Sequence, residues 1–453
     1  IIMKITFVGG TETVTGSKFL LETETTTVLV DCGLFQGYKW LRERNWQTLP
    51  LDIDKLDAVL LTHAHLDHSG YIPVLYKRGF RGPVFTHHAT KALCQILLAD
   101  SGHIQEEDAK YYSKHKLGKH AHPEPLYDRQ TAEASMRLFQ SVEFDEQIEV
   151  GDIRFYLQPA GHILGAASII VEAEGKRIGF SGDVGRFDDV LMTPPRPLPE
   201  LDLLLMESTY GNRRHDTQDP FQQLAEIVNR VAKSGGVLLV PAFAVGRAQA
   251  LQHLLATLMD QGDIPKMPIY LDSPMAIKVS DIFCQFSDQH RLSHEQCYRL
   301  CDGVTYTRTV DESKAIAGQA FPHIVIAGSG MATGGRILHH FKRLLGSSKT
   351  TVLFTGYQAG GTRGAKMLEG VDAVKIHGGW VPLRATVKVI SGLSGHADYL
   401  ELTQWLQQSA LTDTTRIQLI HGDPEALEAL RVHLQEHTAF AVNVAGYRDI
   451  LRL

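Results

Sequence analysis

Apolar residues alternate with polar ones or cluster in short runs through the first sixty positions. Ile5-Thr6-Phe7-Val8, Phe19-Leu20-Leu21-Glu22 and Thr27-Val28-Leu29-Val30 are rich in β-formers and separated by turn residues, which predicts strands. Asp57-Ala58-Val59-Leu60-Leu61-Thr62 reads as a buried strand that runs straight into His63. Residues 90 to 140 are polar and expected to be helical, with a loop around Leu117-Gly118-Lys119-His120. Strands are expected again at Ile153-Arg154-Phe155-Tyr156, Ser168-Ile169-Ile170-Val171, Arg177-Ile178-Gly179-Phe180 and Leu201-Asp202-Leu203-Leu204-Leu205-Met206. The proline-rich stretch Thr193–Pro199 reads as a connection.

From about residue 209 the rhythm becomes plain strand–helix alternation. Asp219 is a good N-cap with Pro220 behind it, and Leu224, Val228 and Val231 share one helix face that Gly235-Gly236 ends. Val237–Val240, a helix from Arg247 to Met259, Ile269–Leu271, Ile324–Ala327, Thr351–Phe354 and Val387–Ile390 continue the pattern. A helix from Tyr399 to Gln408, a strand at Ile417–Ile420 and a helix from Pro424 complete it. Such alternation predicts a mostly parallel sheet with helices packed on it.

With 453 residues, 43% of them hydrophobic, the chain can bury a large core. Its net charge of −6 excludes a generally basic nucleic-acid coat, so any polyanion site needs locally placed positive charge. No apolar run is long enough to span a membrane, and no leader pattern precedes the first strand. Ile1 and Ile2 ahead of Met3 read as an appended remnant. The five cysteines form no C-x-x-C pair, and a sparse odd set points to a reducing compartment, with the cytoplasm expected.

The densest chemistry lies at His63-Ala64-His65-Leu66-Asp67-His68, four ligand-type side chains in six residues. His63 and His65 can grip one ion, and Asp67 and His68 can reach a second. Two neighbouring ions need a bridging carboxylate and further imidazoles. His162, Asp183 and His421 follow strand-like runs beside glycine and are the candidates. His87, His88, His115, His120 and His122 lack that setting and read as surface loop residues. Gly328-Ser329-Gly330-Met331-Ala332-Thr333-Gly334-Gly335-Arg336 joins a strand to a helix, where backbone N–H groups suit a phosphate. Arg247, at a similar junction, and Arg336 are expected to contact phosphates.

At these residues the chain resembles the metallo-β-lactamase superfamily and, more narrowly, its β-CASP branch of nucleases. Glu207-Ser208-Thr209-Tyr210-Gly211, Ser394-Gly395-His396-Ala397-Asp398 and His421-Gly422 look like that branch's motifs A, B and C. The resemblance is strongest to compact prokaryotic members related to the endonuclease subunit of cleavage and polyadenylation specificity factor. It implies an αββα sandwich built from residues 3–208 and 386–453, with an inserted α/β domain at 209–385. It implies two zinc ions per chain, one on His63, His65 and His162 and one on Asp67, His68 and His421, with Asp183 bridging. Asp31 would orient the ligands from behind.

The resemblance further implies hydrolysis of single-stranded RNA by a hydroxide that the two metals activate, leaving 5′-phosphate and 3′-hydroxyl ends. Asp67 belongs to that catalytic centre. His396 would protonate the leaving oxygen, oriented by Glu207, and Ser329, Gly330, Met331, Ala332, Thr333, Gly334, Arg247 and Arg336 would hold the RNA backbone. Exonuclease action, DNA as a substrate and a homodimer stay open. A thioester or lactam hydrolase of the same superfamily is the main alternative. A scaffold that has lost catalysis is disfavoured because every ligand position is filled, and a di-iron flavoprotein because His65 stands where that group carries glutamate.

Overall fold

In a computed structural model, residues 3–116 and 123–453 are described. The chain divides into two units. One comprises Ile1–Asp188, Pro194–Arg214 and His396–Leu453; the other comprises Asp189–Thr193 and His215–Gly395.

The first unit is built on two sheets. One orders its strands Ile450–Arg452, Lys4–Gly9, Lys18–Glu22, Thr27–Val30, Ala58–Leu60, Val84–His87 and Phe139–Val142. The other runs Ala441–Val444, Arg416–Leu419, Leu203–Met206, Lys176–Phe180, Ala167–Ala173, Ile153–Pro159 and Ile148–Val150. Alternate residues of both, among them Ile5, Phe7, Leu21, Val28 and Leu60 from the first and Phe155, Leu157, Ile169, Val171 and Leu205 from the second, form one buried cluster. The outer face of the second sheet packs Ile170, Leu204 and Met206 against Leu402, Trp405, Leu427 and Leu430 of the helices Tyr399–Gln408 and Pro424–His437. The long helix His88–His115 lies against Val84–His87 and Phe139–Val142 of the first sheet. The result is a helix–sheet–sheet–helix stack.

This stack places the chemistry. The strands Thr27–Val30, Ala58–Leu60, Lys176–Phe180, Leu203–Met206 and Arg416–Leu419 end just before Asp31, His63, Asp183, Glu207 and His421 respectively. Parallel pairing of Leu203–Met206 with both Lys176–Phe180 and Arg416–Leu419 brings three of these strand ends to one edge.

The second unit has six parallel strands among the described residues, ordered Val304–Tyr306, Ile269–Asp272, His323–Ala327, Val237–Pro241, Thr350–Phe354 and Thr386–Val389. The expected helix appears as Pro220–Ser234, with the Asp219 carboxylate accepting from the Phe221 N–H at 3.0 Å and Gly235 in the left-handed region at φ 64°. The unit runs about ten residues beyond the expected boundary at 385, because Thr386–Val389 pairs with Thr350–Phe354 instead of returning to the first unit.

A buried polar knot ties this sheet to its helices. The Asp272 carboxylate, almost fully buried, accepts from Thr307 Oγ1 at 2.5 Å, Ser313 Oγ at 2.6 Å and Arg336 Nη1 at 2.7 Å, and faces His340 Nε2 at 2.7 Å. Burial alone would favour the protonated acid, but these donors hold Asp272 ionised far below the usual carboxylate range.

Two expectations are corrected. His87 is buried at a strand end; its Nδ1 accepts from the Ala89 N–H and its ring stacks on Phe144 at 4.2 Å. His88 pairs with Glu143 at 2.9 Å at the start of the long helix, while His115 does lie exposed at that helix's end. Second, Cys284 and Cys297 are joined as a disulfide, since the helices Ala276–Gln285 and His294–Arg299 bring their Cα atoms to 5.7 Å. The predicted loop at Leu117–His120, with His120 and His122, lies outside the described residues.

Asp272→Ala leaves Arg336 and two hydroxyls without their acceptor. It is expected to destabilise the second unit by about 3–5 kcal/mol, read as a lowered denaturation midpoint; an unchanged midpoint would show that the knot contributes nothing net.

Candidate metal centre

The centre is assembled from strand ends. His63 follows the strand Ala58–Leu60, His65 caps a one-turn helix, Leu66–Ser69, and that helix carries Asp67 and His68. The helix sits tight on the loop after Thr27–Val30. Cys32 N–H donates to the His68 carbonyl at 2.7 Å, and Leu34 N–H to the Leu66 carbonyl at 2.8 Å. A Cβ at Gly33 would lie 1.6 Å from the Asp67 carbonyl oxygen, so only glycine permits this approach.

Two four-residue groups result. His63, His65, His162 and Asp183 bring one ligand atom each within 4.8 Å of one another, as do Asp67, His68, Asp183 and His421. Asp183 belongs to both. Its Oδ2 lies 3.3 Å from His63 Nε2 and 3.5 Å from His162 Nε2; its Oδ1 lies 3.2 Å from His68 Nε2 and 3.6 Å from His421 Nε2. His162 Nε2 approaches His65 Nδ1 at 3.1 Å, and His421 Nε2 approaches Asp67 Oδ2 at 3.2 Å. The structure thus brings all seven expected ligands together.

What holds the imidazoles decides which nitrogen faces inward. Asp31 accepts from the Thr62 N–H at 2.8 Å and from Thr62 Oγ1 at 2.9 Å. Because that hydroxyl donates to Asp31, it accepts from His63 Nδ1 at 3.0 Å, leaving the lone pair on His63 Nε2. Asp31 Oδ2 also takes the Nδ1 proton of His68 at 2.7 Å. Thr209 Oγ1 meets His421 Nδ1 at 3.0 Å in the same way. Asp31 and His421 both have left-handed backbones, with φ of 60° and 50°, a strained conformation for side-chain-bearing residues. The sequence reading missed Thr62 and Thr209; each sits at a strand end, the first directly before a ligand, and that position was the available signal.

The electrostatics separate the two groups. Burial holds His63, His65 and His162 neutral, His65 down to about 3. At His68, burial opposes the charge but Asp183, Asp67 and Asp31 outweigh it and raise the pKa well above normal. At His421, burial is likewise outweighed by Asp183 and Asp67. Asp67 and Asp183 are driven well below the carboxylate range by the imidazoles despite their burial. His63 Nε2 and Asp183 Oδ1 are buried and make no hydrogen bond. Five imidazoles, three of them held neutral, two ionised carboxylates and orphaned inward-facing atoms form a donor set that fits divalent metal, with nitrogen and oxygen ligands of the kind zinc takes.

His396 and Glu207 stand at the edge of this centre. His396 Nδ1 bonds Glu207 Oε1 at 3.0 Å, and its Nε2 lies 3.9 Å from Asp183 Oδ2. Glu207 is fully buried and also accepts from the Val184 N–H at 2.7 Å and the Thr209 N–H at 3.2 Å. Burial disfavours charge on His396, yet Glu207 and Asp183 raise its pKa to about 9.

The expected phosphate ligands fare differently. The Arg247 guanidinium is buried, donating to the Leu393 carbonyl and pairing with Asp189 at 3.2 Å. Arg336 is committed to Asp272 and to the carbonyls of Thr307 and Arg308. Both guanidiniums therefore brace their loops from within, against the expectation that they face phosphate. In the loop itself, Ser329 Oγ accepts from the N–H groups of Thr333 at 3.0 Å and Gly334 at 3.2 Å, and the Ser329 carbonyl accepts from Ala332 at 3.1 Å. Among the described residues this leaves Gly330 and Met331 with backbone N–H groups that have no protein acceptor.

Three family models match the chain: the metallo-beta-lactamase superfamily over residues 14–220, the Beta-Casp domain over 248–367, and the Zn-dependent metallo-hydrolase RNA specificity domain over 380–445. Ribonuclease TTHA0252 of Thermus thermophilus is 38% identical over 94% of this chain and 95% of its own length. Transcription termination factor FttA of Thermococcus kodakarensis is 31% identical over 99% of this chain and 70% of its own. Cleavage and polyadenylation specificity factor 73 of Drosophila melanogaster is 29% identical over 96% of this chain, which spans 62% of that protein. A crystal structure of a protein of unknown function from Enterococcus faecalis V583 matches the fold over the full length of both chains, with a TM-score of 0.51 and 13% identity.

Asp31→Asn removes the acceptor that fixes His68 and, through Thr62, His63. Metal content by mass spectrometry of the purified protein is expected to fall, with affinity about 10- to 100-fold weaker. Full retention of metal would show that Asp31 serves only the backbone turn.

Proposed function

Because the chain belongs to the β-CASP branch of the metallo-β-lactamase superfamily, we propose that it is a zinc-dependent ribonuclease that hydrolyses single-stranded RNA and leaves 5′-phosphate and 3′-hydroxyl ends. The carrying observation is the His396–Glu207 pair at the edge of a centre whose every ligand position is filled. A hydrolase of small thioesters or lactams needs no second acid of this kind.

His63, His65, His162 and Asp183 would hold one zinc ion, and Asp67, His68, His421 and Asp183 the other. Bound there, the ions supply an acidified water and neutralise charge on the phosphoryl oxygens. The remaining work falls to the chain. Glu207 keeps a proton on His396 and fixes its ring through Nδ1, so that Nε2 presents the proton toward the centre. Delivered to the 3′ oxygen as the P–O bond breaks, that proton makes a hydroxyl leaving group. The Val184 and Thr209 N–H groups in turn fix the Glu207 carboxylate. In the second unit, the backbone N–H groups of Gly330 and Met331 would hold a phosphate of the strand. No step consumes a ribose 2′-hydroxyl, so preference for RNA over DNA would come from shape and contacts. A cytoplasmic setting suits such an enzyme, and no helix among the described residues is long and apolar enough to cross a membrane.

The test is incubation of metal-replete protein with end-labelled single-stranded RNA and matched DNA. RNA cleavage abolished by EDTA is expected, with kcat lowered about 100- to 10,000-fold in His396→Ala and KM little changed. No cleavage of either polymer with zinc verified bound would overturn the reading in favour of a small-molecule hydrolase. Glu207→Gln gives a second readout. His396 must be protonated to act, so activity is lost as pH rises through its pKa, which Glu207 holds up. Losing that carboxylate is expected to move the high-pH limb of kcat to lower pH; an unmoved limb would remove His396 from the acid role.

A further inference from the structure

The second unit carries a cationic surface that the ribonuclease reading does not use. The helix Ile337–Leu344 buries Ile337, Leu338, Phe341 and Leu344 and turns His339, Lys342 and Arg343 outward, at spacings of three and four. Beside it stands a two-stranded hairpin, Ala373–Ile376 with Gly379–Pro382, in which Lys375 lies directly opposite Trp380. The His339 and His377 rings, 5.0 Å apart between centroids, join helix to hairpin. Arg363 joins the hairpin to the glycine-rich loop: its Nε donates to the Lys375 carbonyl at 2.6 Å and its Nη1 to the carbonyls of Ala332 at 2.9 Å and Thr333 at 3.2 Å.

Two features suit this face to a polyanion with aromatic bases. Lys342, Arg343 and Lys375 are exposed and form no ion pair among the described residues, although Glu369 and Asp372 shortly precede Lys375 in sequence. Their field is felt locally: partial burial lowers the pKa of both His339 and His377, and Lys342 adds to the lowering at each. The other feature is Trp380, 71% exposed, an indole that contributes little to the core. Unpaired cations beside an exposed aromatic ring are what a single nucleic-acid strand recognises, through its phosphates and through base stacking.

We infer that this face is a second strand-binding site for single-stranded RNA, on which Trp380 stacks a base while Lys342, Arg343 and Lys375 contact backbone phosphates, continuing the track that begins at the Gly330–Met331 loop. The choice of RNA rests on the ribonuclease reading. Such a site serves strands long enough to cover it and not short ones.

The test uses the full metal-loaded chain and a cleavage-resistant 2′-O-methyl single strand of about 20 nucleotides, long enough to cover such a surface. The double variant Lys342→Ala/Lys375→Ala is expected to lower the slope of log affinity against log salt by about 1.4, two phosphates at ~0.7 each. Trp380→Ala is expected to weaken binding about 5- to 100-fold. Both variants should melt as the wild type does and cleave an RNA of about 5 nucleotides at the wild-type rate. Unchanged slope and unchanged affinity in the two variants would overturn the site. The two readings fail separately. A wild type that binds the strand with these dependences but cleaves no RNA refutes the nuclease and keeps the binding face. A wild type that cleaves while both variants bind normally refutes the face and keeps the nuclease.

Discussion

A carboxylate buried among imidazoles is the constraint from which the rest of the first unit follows. Asp183 has almost no contact with solvent, and both its oxygens face histidine nitrogens. An ionised carboxylate in such a place is costly unless countercharge is supplied. Protons on His68 and His421 supply it in part, and divalent metal would supply it more completely. The strands must therefore end where they do, with Asp31, Thr62 and Thr209 turning each ring so that a nitrogen points inward. The fold and the chemistry share one requirement: the strand ends that carry these side chains must meet around one buried carboxylate.

The His396–Glu207 pair shows the same logic one layer out. A histidine near two carboxylates is kept charged, whereas His63, His65 and His162, equally buried, are kept neutral. Burial on one side and the placement of acids on the other thus set His63, His65 and His162 apart from His396 within one cluster.

Much of this was legible in the chain. The H-x-H-x-D-H string names four ligands, and glycine-flanked His162, Asp183 and His421 after apolar runs name the rest, because strand ends are where an α/β stack exposes side chains. The helix Tyr399–Gln408 and the Asp219 cap were legible because local capping chemistry alone determines them. What failed was non-local. Arg336 looked like a phosphate ligand from its neighbours in sequence, yet its partner, Asp272, lies 64 residues away. His87 looked like a loop residue until Phe144 covered it. That Thr386–Val389 joins the sheet of the second unit shows only in its pairing with Thr350–Phe354, which local sequence does not reveal.

His68 and His421 face each other at 3.1 Å across a separation of 353 residues, with the whole second unit inserted between them in the chain. A growing polypeptide on the ribosome has every other ligand long before it has His421. The earlier imidazoles and carboxylates can gather, but the second group stays one nitrogen short until the residues that follow the second unit emerge. Synthesis order thus withholds a complete centre from the nascent chain until the whole second unit has been made.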